Sequence, residues 1–210
     1  MSNNTISIRK HYLWETSVFE VNMPNIDNEK ITELYYEMQK KDPTGKTNSN
    51  EGGYQVFIRP WLCDELDKLL LGIEQAASDI YNEGWKTKYK LKVSNCWFNG
   101  NNFGDNNVVH THPGATLSGV YYLTDGEPEH GMINFVRDNQ NSIISGRQED
   151  EEHEPISNDN EICYNTRRDF TAKASKALIF GPWLQHYVTT NRTKETRIVI
   201  GLNFEVAGLL

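Results

Sequence analysis

Apolar residues recur at helical spacing twice in the first half of the chain and at a spacing of two through most of the second. Over residues 27–41, with Asp27 as N-cap, Ile31, Leu34, Tyr35 and Met38 fall on one face. Over residues 64–81, Leu66, Leu69, Leu70, Ile73, Ala77 and Ile80 do the same. Both stretches read as amphipathic helices that lay one face on a sheet. A strand is expected at 17–23, ending at Pro24, and residues 42–53, rich in Asn, Ser, Thr and Gly, read as a loop. From 89 onward the alternation predicts strands at 89–98, 116–123, 132–136, 177–180, 186–190 and 195–206. Two helices followed by many short strands indicate an α+β fold, with the helices on one face of an antiparallel sandwich or barrel. Residues 138–169 interrupt the series with a polar insert that carries the acidic run 149–154. A loop of that length inside a compact domain commonly serves as a lid or binding loop. With no internal repeat or linker, the chain reads as one domain over 1–210. Residues 1–88 are its helical support, and 89–210 its strand-rich core with the insert.

Bulk properties narrow the function. A net charge of −8 argues against sequence-independent binding to nucleic acid or anionic membrane, both of which need clustered Lys and Arg. Cys63, Cys96 and Cys163 are odd in number, widely spaced and free of a CxxC pair. That usage fits reduced thiols in a cytoplasmic protein better than a disulfide framework or a zinc site. The first residues lack the apolar run of a secretory signal, and no apolar stretch is long enough to span a bilayer. A soluble cytoplasmic protein is expected, and a homodimer is compatible with it.

The chemistry concentrates in four residues. His110 and His112 lie two apart in His110-Thr111-His112-Pro113, and on extended backbone residues i and i+2 share a face. Alone, such a pair arises easily as surface or core histidines. Here His186 follows on another strand-like run, and Arg197 comes eleven residues later. Three facially arranged protein ligands that leave other positions open are the pattern of non-haem Fe(II) oxygenases. If 190–195 is a hairpin turn with an even-numbered loop, Val188 opposes Arg197 and His186 opposes Val199. Arg197 then shares the face of His186 with Cα atoms roughly 8 Å apart, which suits a dicarboxylate bound to metal at one end and guanidinium at the other. In the same strand Arg197, Val199, Gly201 and Asn203 are expected to line the cavity, and Ile198, Ile200, Leu202 and Phe204 to face the helices. Tyr122 shares a face with Ser118 and Val120, so its hydroxyl can reach the pocket, with ordinary packing as the plainer alternative. Asn99, at the end of the preceding strand, is a candidate donor to a cosubstrate or metal-bound water.

These segments, in this order, resemble the 2-oxoglutarate and Fe(II)-dependent dioxygenases, notably the prolyl-hydroxylase-like branch. The matching motifs are His110-Thr111-His112-Pro113, Ser118-Gly119-Val120-Tyr121-Tyr122, Trp183-Leu184-Gln185-His186-Tyr187-Val188 and Arg197-Ile198-Val199-Ile200 through Asn203-Phe204. The likeness is closest to a group of 2-oxoglutarate oxygenases of bacteria and phages that have no assigned substrate. It implies a double-stranded β-helix (a jelly-roll, cupin-like core), with His110 and His186 as iron ligands. It also implies Arg197 and Tyr122 as contacts for 2-oxoglutarate, with O2 as co-oxidant. His112 stands where the broad family usually has Asp or Glu, so the implied site has three neutral ligands. The activity implied is hydroxylation of a small molecule or protein side chain, with release of succinate and CO2. Two other readings stay open: a three-histidine dioxygenase that works without 2-oxoglutarate, and a non-catalytic β-sandwich module. The insert is expected to act as a lid over the open side of the iron, and its acidic run either steers a cationic substrate or is a solvated face.

Overall fold

The computed structural model describes residues 16–136 and 167–210. Eleven strands, two α-helices and one short 3-10 helix are described there, in the order β1 (Val18–Asn22), α1 (Asn28–Lys41), β2 (Asn50–Glu51), β3 (Tyr54–Ile58), α2 (Asp64–Tyr81), β4 (Tyr89–Asn101), β5 (Asn106–His110), β6 (Leu117–Tyr122), the 3-10 helix (Pro128–His130), β7 (Ile133–Val136), β8 (Arg167–Phe170), β9 (Lys176–Phe180), β10 (His186–Val188) and β11 (Arg197–Leu209). They form two antiparallel sheets. The larger has the order β1-β9-β6-β11-β4-β3 and the smaller β2-β5-β10-β7-β8. This is the double-stranded β-helix that the resemblance implied.

Both helices form where the periodicity placed them. Asp27 caps α1, its side chain accepting from the Lys30 amide, while Lys40 and Lys41 sit in the last turn. The helix α2 begins with Asp64, Glu65 and Asp67, which suit the positive end of its dipole. Its buried face of Leu66, Leu69, Leu70, Ile73 and Ala77 packs against Leu91, Cys96 and Phe98 of β4 and Ile198, Ile200, Leu202 and Phe204 of β11. Each fully buried Leu or Ile there stabilises the fold by roughly 1.5–3 kcal/mol. Two side chains of α2 also fix the register of β4: Ser78 Oγ accepts from the Leu91 amide at 2.9 Å and Glu74 Oε1 from the Val93 amide at 2.9 Å. One face of the larger sheet is thereby covered, and its other face looks at the smaller sheet.

Four expectations need correction. Residues 186–190 and 195–206 do not form a hairpin: β10 pairs with β5 and β7, and β11 with β4 and β6, so the connection between them crosses from one sheet to the other. The reason is Asn191, which is fully buried and donates to the carbonyls of Asn101 and Glu195 at 2.9 and 2.8 Å. It pins the connection to the end of β4, and the residues meant for a tight turn serve as a bridge. Within the expected loop 42–53, Asn50–Glu51 pairs with β5, and β3 follows it beside β4, so the N-terminal part supplies strands to both sheets as well as helices. Residues 106–110, assigned to no element from the sequence, are the strand β5. The last residues of the expected insert begin β8, paired with β7. The rest of that insert, with the acidic run, Cys163 and the expected lid, lies outside the described residues.

Candidate metal and cosubstrate site

The alternation of β11 sorts its side chains as expected. Ile198, Ile200, Leu202 and Phe204 enter the helix-side core, whereas Val199 enters the second core, between the sheets. Arg197, Gly201 and Asn203 share the inner face by alternation. The register extends that face across neighbouring strands in rows. Leu178, Val120, Gly201, Trp97 and Phe57 form one row. Tyr122, Val199, Asn99 and Gln55 form the next, and Arg197 beside Asn101 follows.

Opposite this face the smaller sheet carries the histidines. His110 on β5 and His186 on β10 are cross-strand partners, with ring centroids 4.3 Å apart. His112 follows β5, its amide donating to the Pro182 carbonyl at 2.9 Å. Its ring stacks on His186 at 5.1 Å and 6°, and on Trp97 at 5.8 Å. One ligand nitrogen from each of the three histidines lies within 4.8 Å of the others. The three histidines named from the sequence therefore converge; what fails is only the hairpin supposed to set Arg197 beside His186.

The rings are also prepared as ligands. Nδ1 of His110 lies 2.7 Å from the Val108 carbonyl and Nδ1 of His186 lies 2.8 Å from the Leu184 carbonyl. A carbonyl can only accept, so each Nδ1 carries its proton and each Nε2 presents a lone pair. The Nε2 atoms of His112 and His186 are 3.2 Å apart, a distance that calls for a proton on His112 Nε2 or a cation held in common. Burial, reinforced by the neighbouring imidazoles, holds His186 down to about 3 and His112 to about 4, and burial also lowers His110. All three are neutral at pH 7, as metal ligation requires. This donor set fits a divalent transition metal with positions left open.

Arg197 is buried on the same inner face. Burial works against its charge, and Tyr122 beside it works the other way. The guanidinium carbon is 5.9 Å from the centroid of the Tyr122 ring. The Tyr122 hydroxyl is pushed up to about 12 by burial in spite of that cation, so it stays protonated. Yet Arg197 Nε and Nη1, Tyr122 Oη, Asn99 Oδ1 and Gln55 Oε1 are all buried without a hydrogen-bond partner. Stranding such atoms is costly, and five on one face mark a place built for a polar ligand.

Asn99 differs from expectation in one respect. Its Nδ2 donates to Asn101 Oδ1 at 2.6 Å and Asn107 Oδ1 at 3.1 Å, so the end left without a partner is the acceptor Oδ1 and not a donor. Asn101, Asn107, Trp97 and Gln55 were not singled out from sequence. Trp97 and Asn101 were within reach, because they continue the inner alternation of β4 on either side of Asn99. Gly201 is explained by Trp97: a Cβ there would meet the indole at 2.3 Å, so only glycine lets the ring lie against the strand. A cavity of about 340 Å³ adjoins this face at Tyr122 and Leu178; Glu20, Asp169, Lys173 and Lys176 also line it, and none of the histidines is in its wall.

Comparison with known proteins agrees with this layout. Among curated sequences no relative matches. Solved structures with the same fold include the non-heme alpha ketoglutarate dependent carbocyclase SnoK from nogalamycin biosynthesis, at TM-score 0.64 and 15% identity over 90% of this chain and 79% of that one. A prolyl-4-hydroxylase from Pseudomonas putida aligns at TM-score 0.62 and 14% identity over 92% and 94%. HygX from Streptomyces hygroscopicus, whose structure has nickel and 2-oxoglutarate bound, aligns at 0.59 and 13% over 91% and 83%. The family model described as "Putative 2OG-Fe(II) oxygenase" matches residues 95–203, just over half of the chain and a stretch that holds the three histidines, Tyr122 and Arg197. The chain belongs to the 2OG-Fe(II) oxygenase family.

Proposed function

We propose that this oxygenase hydroxylates its substrate at a centre in which His110, His112 and His186 hold Fe(II). Arg197 and Tyr122 hold the distal carboxylate of 2-oxoglutarate, and Asn99 walls the cosubstrate cavity. The observation that carries the reading is the pairing of a neutral three-nitrogen cluster with a buried guanidinium whose Nε and Nη1 have no partner. Both are donors on a planar guanidinium held in the interior without an acceptor, which suits a buried carboxylate. The protonated Tyr122 hydroxyl adds a third donor beside them. When bound, the iron supplies the oxidative chemistry in which 2-oxoglutarate and O2 become succinate and CO2 and one oxygen atom enters a substrate C–H bond.

The chain's own contribution is placement. The carbonyls of Val108 and Leu184 fix the tautomers of His110 and His186, and Trp97 and Phe180 hold the rings of His112 and His186 in orientation. Val120, Leu178, Phe180 and Phe135 keep one side of the cavity dry, which strengthens each polar contact inside it. Anaerobic addition of Fe(II) and 2-oxoglutarate to the protein is expected to give a weak visible charge-transfer band, and admission of O2 to give succinate. His186→Ala is expected to abolish both the band and stoichiometric iron binding. The neutral His112 favours one rival reading, a dioxygenase that needs no 2-oxoglutarate. O2 consumption with iron bound and no response to 2-oxoglutarate would establish that rival.

A further inference from the structure

The metal cluster consists of histidines alone, and among the described residues no Asp, Glu or Cys joins it. The rows of the larger sheet that face it are as poor in carboxylates. Their one acid, Glu20, stands opposite Leu178 on the edge strand β1 and is held by Lys176 Nζ at 2.8 Å. The next row outward, Ser118, Asn203 and Asn95, is neutral and hydrogen-bonded along its length. Tyr122, whose hydroxyl is pushed up to about 12 by burial, adds no negative charge either. The walls around the histidines therefore hold no anion that could balance a bound metal.

On the reading given above, the loaded centre is out of balance by one charge. A divalent metal and the Arg197 guanidinium are positive, and the dianion 2-oxoglutarate cancels the metal but leaves the arginine. An aspartate at position 112 would cancel the remainder, and His112 does not. An uncompensated charge in the interior is costly, so a further anion is favoured there. Three imidazoles, two oxygens of the cosubstrate and the position that O2 needs fill an octahedral ion, so that anion is not a further metal ligand. It belongs beside the metal, where the substrate must lie. There Trp97 stacks on His112, and its indole Nε1 lies 2.6 Å from the position a Gly201 Cβ would take. Among the described residues this N–H has no acceptor. The net charge of −8 does not oppose an anion at this point, because surface charges more than about 10 Å away are largely screened. We propose that the substrate to be oxidised is an organic monoanion, a carboxylate that balances the charge His112 leaves uncancelled and accepts a hydrogen bond from the Trp97 indole.

The test uses full-length protein saturated with Mn(II) and 2-oxoglutarate, and follows the methyl-proton relaxation of acetate and acetamide, which share a shape and differ in charge. In the wild type the acetate effect is expected to exceed that of acetamide roughly tenfold or more, as attraction between unit charges a few ångströms apart implies. His112→Asp cancels the excess charge and should bring the two probes close to parity. Trp97→Phe keeps an aromatic ring against His112 but removes the N–H, and should weaken the acetate effect roughly 2- to 10-fold. Equal effects of acetate and acetamide in the wild type would overturn the proposal, as would an undiminished acetate preference in His112→Asp. An unchanged acetate effect in Trp97→Phe would overturn the indole contact. With Ni(II) in place of Mn(II), acetate should leave the d–d bands unmoved; a shift would put the anion on the metal and refute its assignment to the substrate. Failure of the wild type to bind Mn(II) or 2-oxoglutarate is a distinct result, which would overturn the metal and cosubstrate site itself.

Discussion

Arg197 shows the cavity two donors in fixed relation, so its contribution depends on shape as well as charge. Lysine at that position keeps a cation but offers a single point of contact. Arg197→Lys is therefore expected to lower 2-oxoglutarate affinity by about 10- to 100-fold, the worth of one charge-assisted hydrogen bond, with iron affinity nearly unchanged. Titration of the charge-transfer band checks both halves of that statement. His112→Asp replaces a neutral ligand with an anionic one, and stoichiometric iron binding is expected to survive, which metal analysis after gel filtration would show. Loss of iron there would mean that the pocket around Trp97 accepts only an imidazole. The histidines and Arg197 could be read from the chain because their spacing and residue type are set by coordination chemistry. The orientation of Asn99 could not. Which end of its amide is free depends on Asn107, on β5, a strand that its short run of Asn and Val did not announce.

At the scale of the element, β11 meets two different demands on its two faces. Its outward residues pack on the helices and its inward ones serve the site, and the alternation that separates them was legible in full. What sequence reasoning misjudged was the partner of each strand. Apolar alternation reports which face is buried, not which neighbour supplies the hydrogen bonds, and a turn-like composition at 190–195 suggested a hairpin that Asn191 replaces with a crossing between sheets. The strand β3 escaped notice because Tyr54 to Ile58 is short and lies directly beyond the double turn at Gly52 and Gly53. One prediction belongs here. Gly201→Ala drives a methyl group into Trp97, and overpacking of this kind costs about 1–3 kcal/mol. Urea denaturation should show that loss, and iron affinity should fall with it, because the same indole stacks on His112.

In the whole molecule, among the described residues, the two sheets have unequal support. Helices α1 and α2 pack on the larger sheet, which brings Arg197, Tyr122 and Asn99 to the interior. The smaller sheet carries His110 and His186 and faces the larger one across a gap that is apolar on one side and lined with amides on the other. On the proposed site, iron and 2-oxoglutarate would join the histidines of one sheet to an arginine of the other and act as a rivet through both plates. Ligands that bind only the folded form stabilise it, by an amount that grows with the logarithm of their concentration over their dissociation constant. Withdrawal of the metal is thus a mechanical event as well as a chemical one. The smaller sheet, which no helix covers among the described residues, is left to the grip of its own apolar half, and the seam should open first along β5 and β10.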